Sequence, residues 1–136
     1  LQHGGYDVAV FDLHEPAFSG IQVIRGDLSI LKDVEAACMG RDVVFHVATA
    51  APTALNVATA QDLMVKVNVL GTENVIKACK AAKVPRLVFT STASVVFKGK
   101  DLIDIDESCP YASKPMDYYT GTKIQVRTIC ALIAVL

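Results

Sequence analysis

In the segment 118–123, YYTGTK, Tyr119 and Lys123 stand four residues apart. On a helix this spacing puts both side chains on one face, while Tyr118 turns about 100° away and meets Thr122 at the same interval. A phenol titrates near pH 10, so it is a poor base at neutral pH unless a neighbouring cation stabilises its anion. Lowering its pKa by three units requires about 4 kcal/mol of preferential stabilisation of the phenolate. An ammonium one turn away is a suitable source. The chemistry such a pair could do is acid–base catalysis, with Tyr119 rather than Tyr118 as the expected proton carrier if the rest of the chain builds a site around it.

Other residues could share such a site. Thr90, Ser91, Thr92 and Ser94 lie in FTSTASVV, at the end of an apolar run that reads as a strand. Ligands of open α/β sheets bind at the carboxyl edges of strands, so a hydroxyl there faces a site, or else satisfies its own backbone. Asn68, in VNVLGTENV, is a polar side chain in an apolar helical stretch. A buried amide must be hydrogen-bonded, so it either braces backbone or holds a water in a proton relay. His46, in VFHVATAAP, has no partner at metal-ligand or general-base spacing and reads as a packed structural histidine. The small residues Ala48 and Thr49 just beyond it would let a flat cofactor approach the backbone.

These residues need a frame. Four short apolar runs, at 6–12, 21–25, 42–47 and 86–90, have the near-continuous Val, Phe and Leu content of strands buried on both faces of a parallel sheet. Between them lie helical patterns. One is ILKDVEAACMG, with Ser29 as its expected cap and Gly40 as its terminator. A longer one runs from 62 to 83, with Val65, Val69, Val75, Ile76 and Cys79 inward and Pro85 as its stop. A final helix is expected to start with Asp117 as its cap. Residues 97–116 carry no convincing element, and loops of that length are often lids or binding loops. Alternating strands and helices imply an α/β fold with right-handed crossovers.

Gly4 and Gly5 precede the first strand, whereas a phosphate-binding glycine turn follows a strand and opens a helix. They read as the end of a helix, and any phosphate loop is expected upstream of Leu1. Asp12 closes the strand that would come second in a dinucleotide fold, where an acid can hydrogen-bond the adenosine ribose and repel a 2′-phosphate, favouring NAD, or else it is an ordinary strand-end aspartate in a turn. Asp27 and Leu28 leave the carboxyl edge of the next strand. They suit an adenine site, Leu28 under the ring, and Asp27 equally suits a turn or cap.

The 136 residues fit one domain with a core of its own, and 52% apolar content argues against disorder. A net charge of −1 with interspersed signs points away from nucleic acid. The four cysteines, Cys38, Cys79, Cys109 and Cys130, are dispersed without a C-x-x-C pair, so no metal site is expected and free thiols are. The apolar run at 129–136 is too short to span a membrane, and no secretory signal is visible.

With RGDL, VFHVATAAP, VNVLGTENVIKACK, LVFTSTASVVF and above all CPYASKPMDYYTGTK on the page, the chain resembles the extended short-chain dehydrogenase/reductase family, and within it the 3-beta-hydroxysteroid dehydrogenase group. The resemblance covers about residues 1–125. It implies a partial Rossmann-type, doubly wound parallel sheet lacking the first strand and the glycine-rich loop. Residues 1–136 would form an incomplete dinucleotide-binding domain without the C-terminal substrate region, and VRTICALIAVL departs from the family's helix. A chain so truncated is expected to bind NAD weakly and to be inactive alone. The implied activity is NAD-dependent oxidation, NADP being allowed, of the 3β-hydroxyl of a steroid or 4α-carboxysterol. By resemblance, Tyr119, Lys123, Thr92 and Asn68 are catalytic, and Asp12, Asp27, Leu28, Ala48, Thr49, Tyr119 and Lys123 contact the cofactor. Loop 97–116 would border the sterol. The family also allows a homodimer of the intact parent, at the cytoplasmic side of the endoplasmic reticulum. A sugar-nucleotide epimerase or dehydratase, or a non-catalytic scaffold, are the rival readings.

Overall fold

The computed structural model describes residues 4–16, 20–51, 57–106 and 108–133, with side chains to residue 130. Leu1, Pro52 and the end of the apolar run, 134–136, lie outside the described residues. There are four parallel-paired strands, β1 (Ala9–Asp12), β2 (Gln22–Arg25), β3 (Val44–His46) and β4 (Leu87–Phe89), and from β2 onward they alternate with helices. The helices are α1 (Leu31–Cys38), α2 (Val57–Met64), α3 (Gly71–Ala81) and α4 (Tyr118–Ile133). β1 pairs with β2, Asp12 opposite Arg25, and β3 pairs with β4, His46 opposite Phe89. The described strands thus form two parallel ribbons, as expected of an α/β fold with a partial sheet.

A single helical layer covers both ribbons. Leu28, Val34, Cys38, Val75, Ala78 and Cys79 form its buried centre, with Phe11 from β1, Val44 from β3 and Leu87 from β4 packed against it. The period-2 rule then sends Phe45 and Val88 to the other face, where they are exposed, as is Val47 beyond β3. Of the two faces expected to be covered, the described helices α1 and α3 cover one. Apolar content cannot show which face a helix covers, and only one face carries α1 and α3.

The helix expected at 62–83 starts earlier and is not uniform. Between α2 and α3 the chain makes a six-residue π-helical segment, Val65–Leu70, and the Gly71 amide reaches back five residues to the Lys66 carbonyl. α3 ends with Lys83 in a left-handed conformation (φ 55°), the Val84 amide donating to the Cys79 carbonyl at 2.9 Å. Gly71 is required by close packing: a Cβ there would lie 2.8 Å from both Cγ and Cδ2 of Leu28. α1 ends at Gly40 (φ 68°), as its glycine signal implies. Its start corrects the expected Ser29 cap. Ile30 occupies the cap position without a side-chain bond, because the Ser29 amide and hydroxyl both turn back to Asp27 Oδ1, at 2.8 and 2.7 Å. Gly5, at φ 79°, has the backbone of a helix terminator. Cys38 and Cys79, distant in sequence, bring their free thiols to 4.0 Å across α1 and α3.

Candidate active site

α4 starts where Asp117 predicts. Its carboxylate accepts from the Thr120 amide at 2.7 Å, an N-cap on the third helical residue. That start fixes the rotation of the helix. Tyr119 turns partly inward on the Lys123 face, while Tyr118 is 44% exposed and lines a separate open cavity with Val65, Pro115 and Gln125. Lys123 Nζ lies 5.9 Å from the Tyr119 ring centroid and 5.0 Å from that of Phe89.

Lys123 is buried, with 3% of its surface exposed, and burial holds its pKa below the usual lysine range. It donates to the Thr90 carbonyl at 3.2 Å, just beyond β4. Among the described residues this is its one hydrogen-bond acceptor, and no carboxylate pairs with it. An ammonium has three protons to place.

Asn68 sits inside the π-helical segment, 2% exposed, and every polar position of its amide is used. Its Oδ1 accepts from the Ala50 amide at 2.7 Å and the Thr49 hydroxyl at 3.1 Å. Its Nδ2 donates to the Ala50 carbonyl at 2.9 Å and to Thr122 Oγ1 at 3.1 Å. Of the two roles open to this side chain, bracing backbone is the one these bonds describe. They fasten the segment after β3, which holds Ala48 and Thr49, to α4. Thr122 passes its own proton to the Tyr119 carbonyl at 2.7 Å.

Thr92 follows β4 and caps a 3-10 turn, Ala93–Val96, its Oγ1 accepting from the Ser94 amide at 3.3 Å. The Ser94 hydroxyl lies 3.1 Å from Thr92 Oγ1 and accepts from the Thr120 hydroxyl at 3.2 Å. A hydroxyl chain therefore runs from the strand end to the residue beside Tyr119. Ser91 Oγ, in the same strand end, is buried without a partner among the described residues.

The remaining candidates lie along the carboxyl ends of β1 and β2. Asp12 is exposed; its Oδ1 accepts from the His14 amide at 2.9 Å, and Oδ2 has no partner among the described residues. The Ser29 backbone and side-chain bonds, helped by Lys66 at 3.7 Å, hold Asp27 below the usual carboxylate range. Leu28 is buried against Gly71, a wall held from behind, and its carbonyl accepts from Asn74 Nδ2 at 3.1 Å. Ala48 and Thr49 are exposed after β3.

His46 is packed, as its sequence context implies, at 4% exposure with Nε2 2.8 Å from Thr72 Oγ1. Burial first, and the Lys123 charge second, push its pKa down to about 4. Loop 97–116 contains no regular element among its described residues. It is tied down by the Ala112 amide on the Val95 carbonyl, 2.8 Å, and by Arg127 stacked on Tyr111 at 5.1 Å. Leu102, Ile103, Ile105 and Met116 expose apolar side chains along it. No helix among the described residues is long and apolar enough to cross a membrane, and no cluster of potential metal ligands occurs there.

Sequence reasoning did not single out Thr72, Thr120 or Thr122. Each touches its partner across 26 to 54 residues of chain, and only the spacing of Thr72 to Asn68, i and i+4, hinted at a role.

The sequence profile of the 3-beta hydroxysteroid dehydrogenase/isomerase family matches residues 7–130. The chain is 45% identical over 122 residues to the human sterol-4-alpha-carboxylate 3-dehydrogenase, decarboxylating, covering 88% of this chain and 31% of that protein. It is also 45% identical over 104 residues to the 2-alkyl-3-oxoalkanoate reductase of Shewanella oneidensis, covering 76% of this chain and 26% of that one. The chain thus spans about a third or less of the length of these curated relatives. Among solved structures, the Thermus thermophilus UDP-glucose 4-epimerase complexed with NAD superposes with a TM-score of 0.81 at 26% identity, over 96% of this chain and 44% of that one.

Proposed function

The chain belongs to the 3-beta hydroxysteroid dehydrogenase/isomerase family, and from that premise we propose that it carries part of the active site of an NAD-dependent dehydrogenase for secondary alcohols placed β to a carboxylate, a 3β-hydroxy-4α-carboxysterol being the leading case. The observation that carries this reading is the buried Lys123 ammonium, with one acceptor for three protons, beside Tyr119 at the end of β4.

A dinucleotide fits the groups present. The vicinal hydroxyls of a nicotinamide ribose would take the protons that Lys123 has left, and those of the adenosine ribose would meet the second oxygen of Asp12. Asp27 and the Leu28 wall would border the adenine, with Ala48 and Thr49 allowing close approach after β3. NAD, when bound, supplies the acceptor for the hydride that leaves the alcohol carbon.

The protein's own part is proton chemistry and orientation. Tyr119 accepts the proton of the substrate hydroxyl, and the Lys123 charge stabilises the phenolate needed for that step. Thr92 orients the substrate oxygen by a hydrogen bond. Asn68 contributes by position, holding the cofactor-facing segment and α4 in register. Loop 97–116, with its exposed Leu102, Ile103 and Ile105, would border the apolar body of the substrate.

The names of the two relatives support this substrate class. One acts at C3 of a sterol whose carboxylate is on C4, the other at C3 of an alkanoate alkylated on C2. Both place the reacting oxygen β to a carboxylate, across an alkyl-bearing carbon. Oxidation of such an alcohol yields a β-keto acid. Its carbon–carbon bond to the carboxylate then breaks, releasing carbon dioxide and leaving the electron pair as an enol that takes up a proton.

The test is a substrate panel on the full-length protein with NAD or NADP: a 3β-hydroxy-4α-carboxysterol, a 2-alkyl-3-hydroxyalkanoate and UDP-glucose. Ketone formation from either hydroxy acid, with NAD favoured, is the expected result. Epimerisation of UDP-glucose without net oxidation would replace this reading with the sugar-nucleotide one, which the likeness to the epimerase fold keeps in view.

A further inference from the structure

His46 and Thr72 stand behind the Tyr119–Lys123 pair, and their hydrogen bonds have only one consistent direction. Thr72 Oγ1 lies 2.6 Å from the Asn68 carbonyl, which can only accept, so the one hydroxyl proton of Thr72 goes there. His46 Nε2, 2.8 Å from the same oxygen, must then be the donor. A neutral imidazole that donates from Nε2 keeps Nδ1 as an acceptor. His46 is neutral at physiological pH, since burial and Lys123 hold its pKa at about 4.

The directed chain continues past Asn68. Asn68 Nδ2 donates to Thr122 Oγ1, and Thr122 donates to the Tyr119 carbonyl. Both threonine protons are committed, and both backbone acceptors belong to segments that carry proposed site residues. The Thr72 bond also ends on Asn68 inside the π-helical segment, beside the Gly71 amide that reaches Lys66 rather than following the α-helical register. A hydroxyl bonded to the carbonyl four residues back is a known cause of local helix distortion.

We propose that His46 is a positioning residue: its Nε2–H, acting through Thr72, fixes the widened turn that presents the Asn68 amide to Ala50 and Thr122, and through Thr122 it sets the first turn of α4 that carries Tyr119. A protonated imidazole could still donate from Nε2, but it would put a second buried cation near Lys123, which the low pKa avoids. The catalytic consequence rests on the dehydrogenase reading; the hydrogen-bond chain does not.

The experiment uses full-length protein with 15N-labelled histidine and selectively labelled alanine, in four forms: wild type, Thr72→Val, Thr72→Ser, and Val34→Ala as a core control. Long-range 1H–15N correlations report the His46 tautomer, and amide exchange reports the Ala50 bond to Asn68. The Nε2–H tautomer is expected in the wild type. Thr72→Val should speed Ala50 exchange, relative to global exchange, by about tenfold, the loss expected for a buried hydrogen bond. Thr72→Ser should restore it, and Val34→Ala, which weakens the core without touching the chain, should leave that ratio unchanged. If the wild type also turns over, Thr72→Val should lower kcat more than it raises KM. An Nδ1–H tautomer in the wild type, or a Thr72→Val variant whose Ala50 exchange ratio matches the wild type, overturns the proposal. Correct NMR signatures in a protein without dehydrogenase activity would sustain the positioning chain and reject the enzymatic reading.

Discussion

Two buried polar side chains in the same corner of the molecule, Asn68 and Lys123, have opposite hydrogen-bond states. Asn68 uses both acceptor and both donor positions, on Thr49, Ala50 and Thr122. Lys123, equally buried, has one acceptor among the described residues and carries a charge that no carboxylate neutralises. A saturated amide contributes stability and specifies geometry, because each bond would be costly to leave unmade. A buried ammonium with unplaced protons costs stability and persists where a ligand will complete it. The contrast distinguishes a side chain served by the fold from one that is not, and the catalytic role proposed above falls on the latter.

Replacing each residue should therefore have opposite effects. Lys123→Met in the full-length protein should lower turnover by about 10²–10⁴-fold, while thermal unfolding shows no loss of stability, since an apolar chain of similar length suits the buried position. Asn68→Leu should do the reverse in folding, costing about 4 kcal/mol by chemical denaturation through several orphaned backbone and hydroxyl groups. A Lys123→Met protein that unfolds more readily than Asn68→Leu would erase the distinction.

The pH dependence sharpens it further. His46 has a folded pKa of about 4 against an ordinary 6.5, so between those values the unfolded chain binds the proton and the folded one does not. Stability is complete above pH 6.5 and is lost as pH falls toward 4, by about 3 kcal/mol for this group. Denaturation midpoints measured across that window should lose this component in His46→Gln, which keeps a donor but cannot titrate. Smaller again is Gly71→Ala. The added methyl would press on Leu28, costing about 2 kcal/mol, and NAD affinity should weaken with it if that wall borders the adenine.

The reach of the sequence was set by the range of each interaction. The Tyr119–Lys123 face was legible because i and i+4 share a helix side, and Asp117 was legible as a cap because its bond spans three residues. The strands were found but drawn too long, chiefly at their starts, where 6–8 and 42–43 lie outside the ladders. Ser29 was misread because Asp27, two residues earlier, competes for its amide and hydroxyl. The π-helical segment has no local signature: it depends on Thr72 meeting both His46 and Asn68, and His46 is 26 residues away. Asn68 could be flagged as buried, but its service to Ala50 and Thr122 spans 18 and 54 residues. The approach of Cys38 to Cys79 was hidden for the same reason.

The central claim, that the under-served Lys123 and its neighbour on α4 form an acid–base pair, is tested most directly by the two adjacent tyrosines. Turnover of a 3β-hydroxy-4α-carboxysterol by the full-length protein should vanish in Tyr119→Phe with NAD affinity retained, and should largely survive in Tyr118→Phe. Equal losses in the two variants, or a loss confined to Tyr118→Phe, would contradict the assignment.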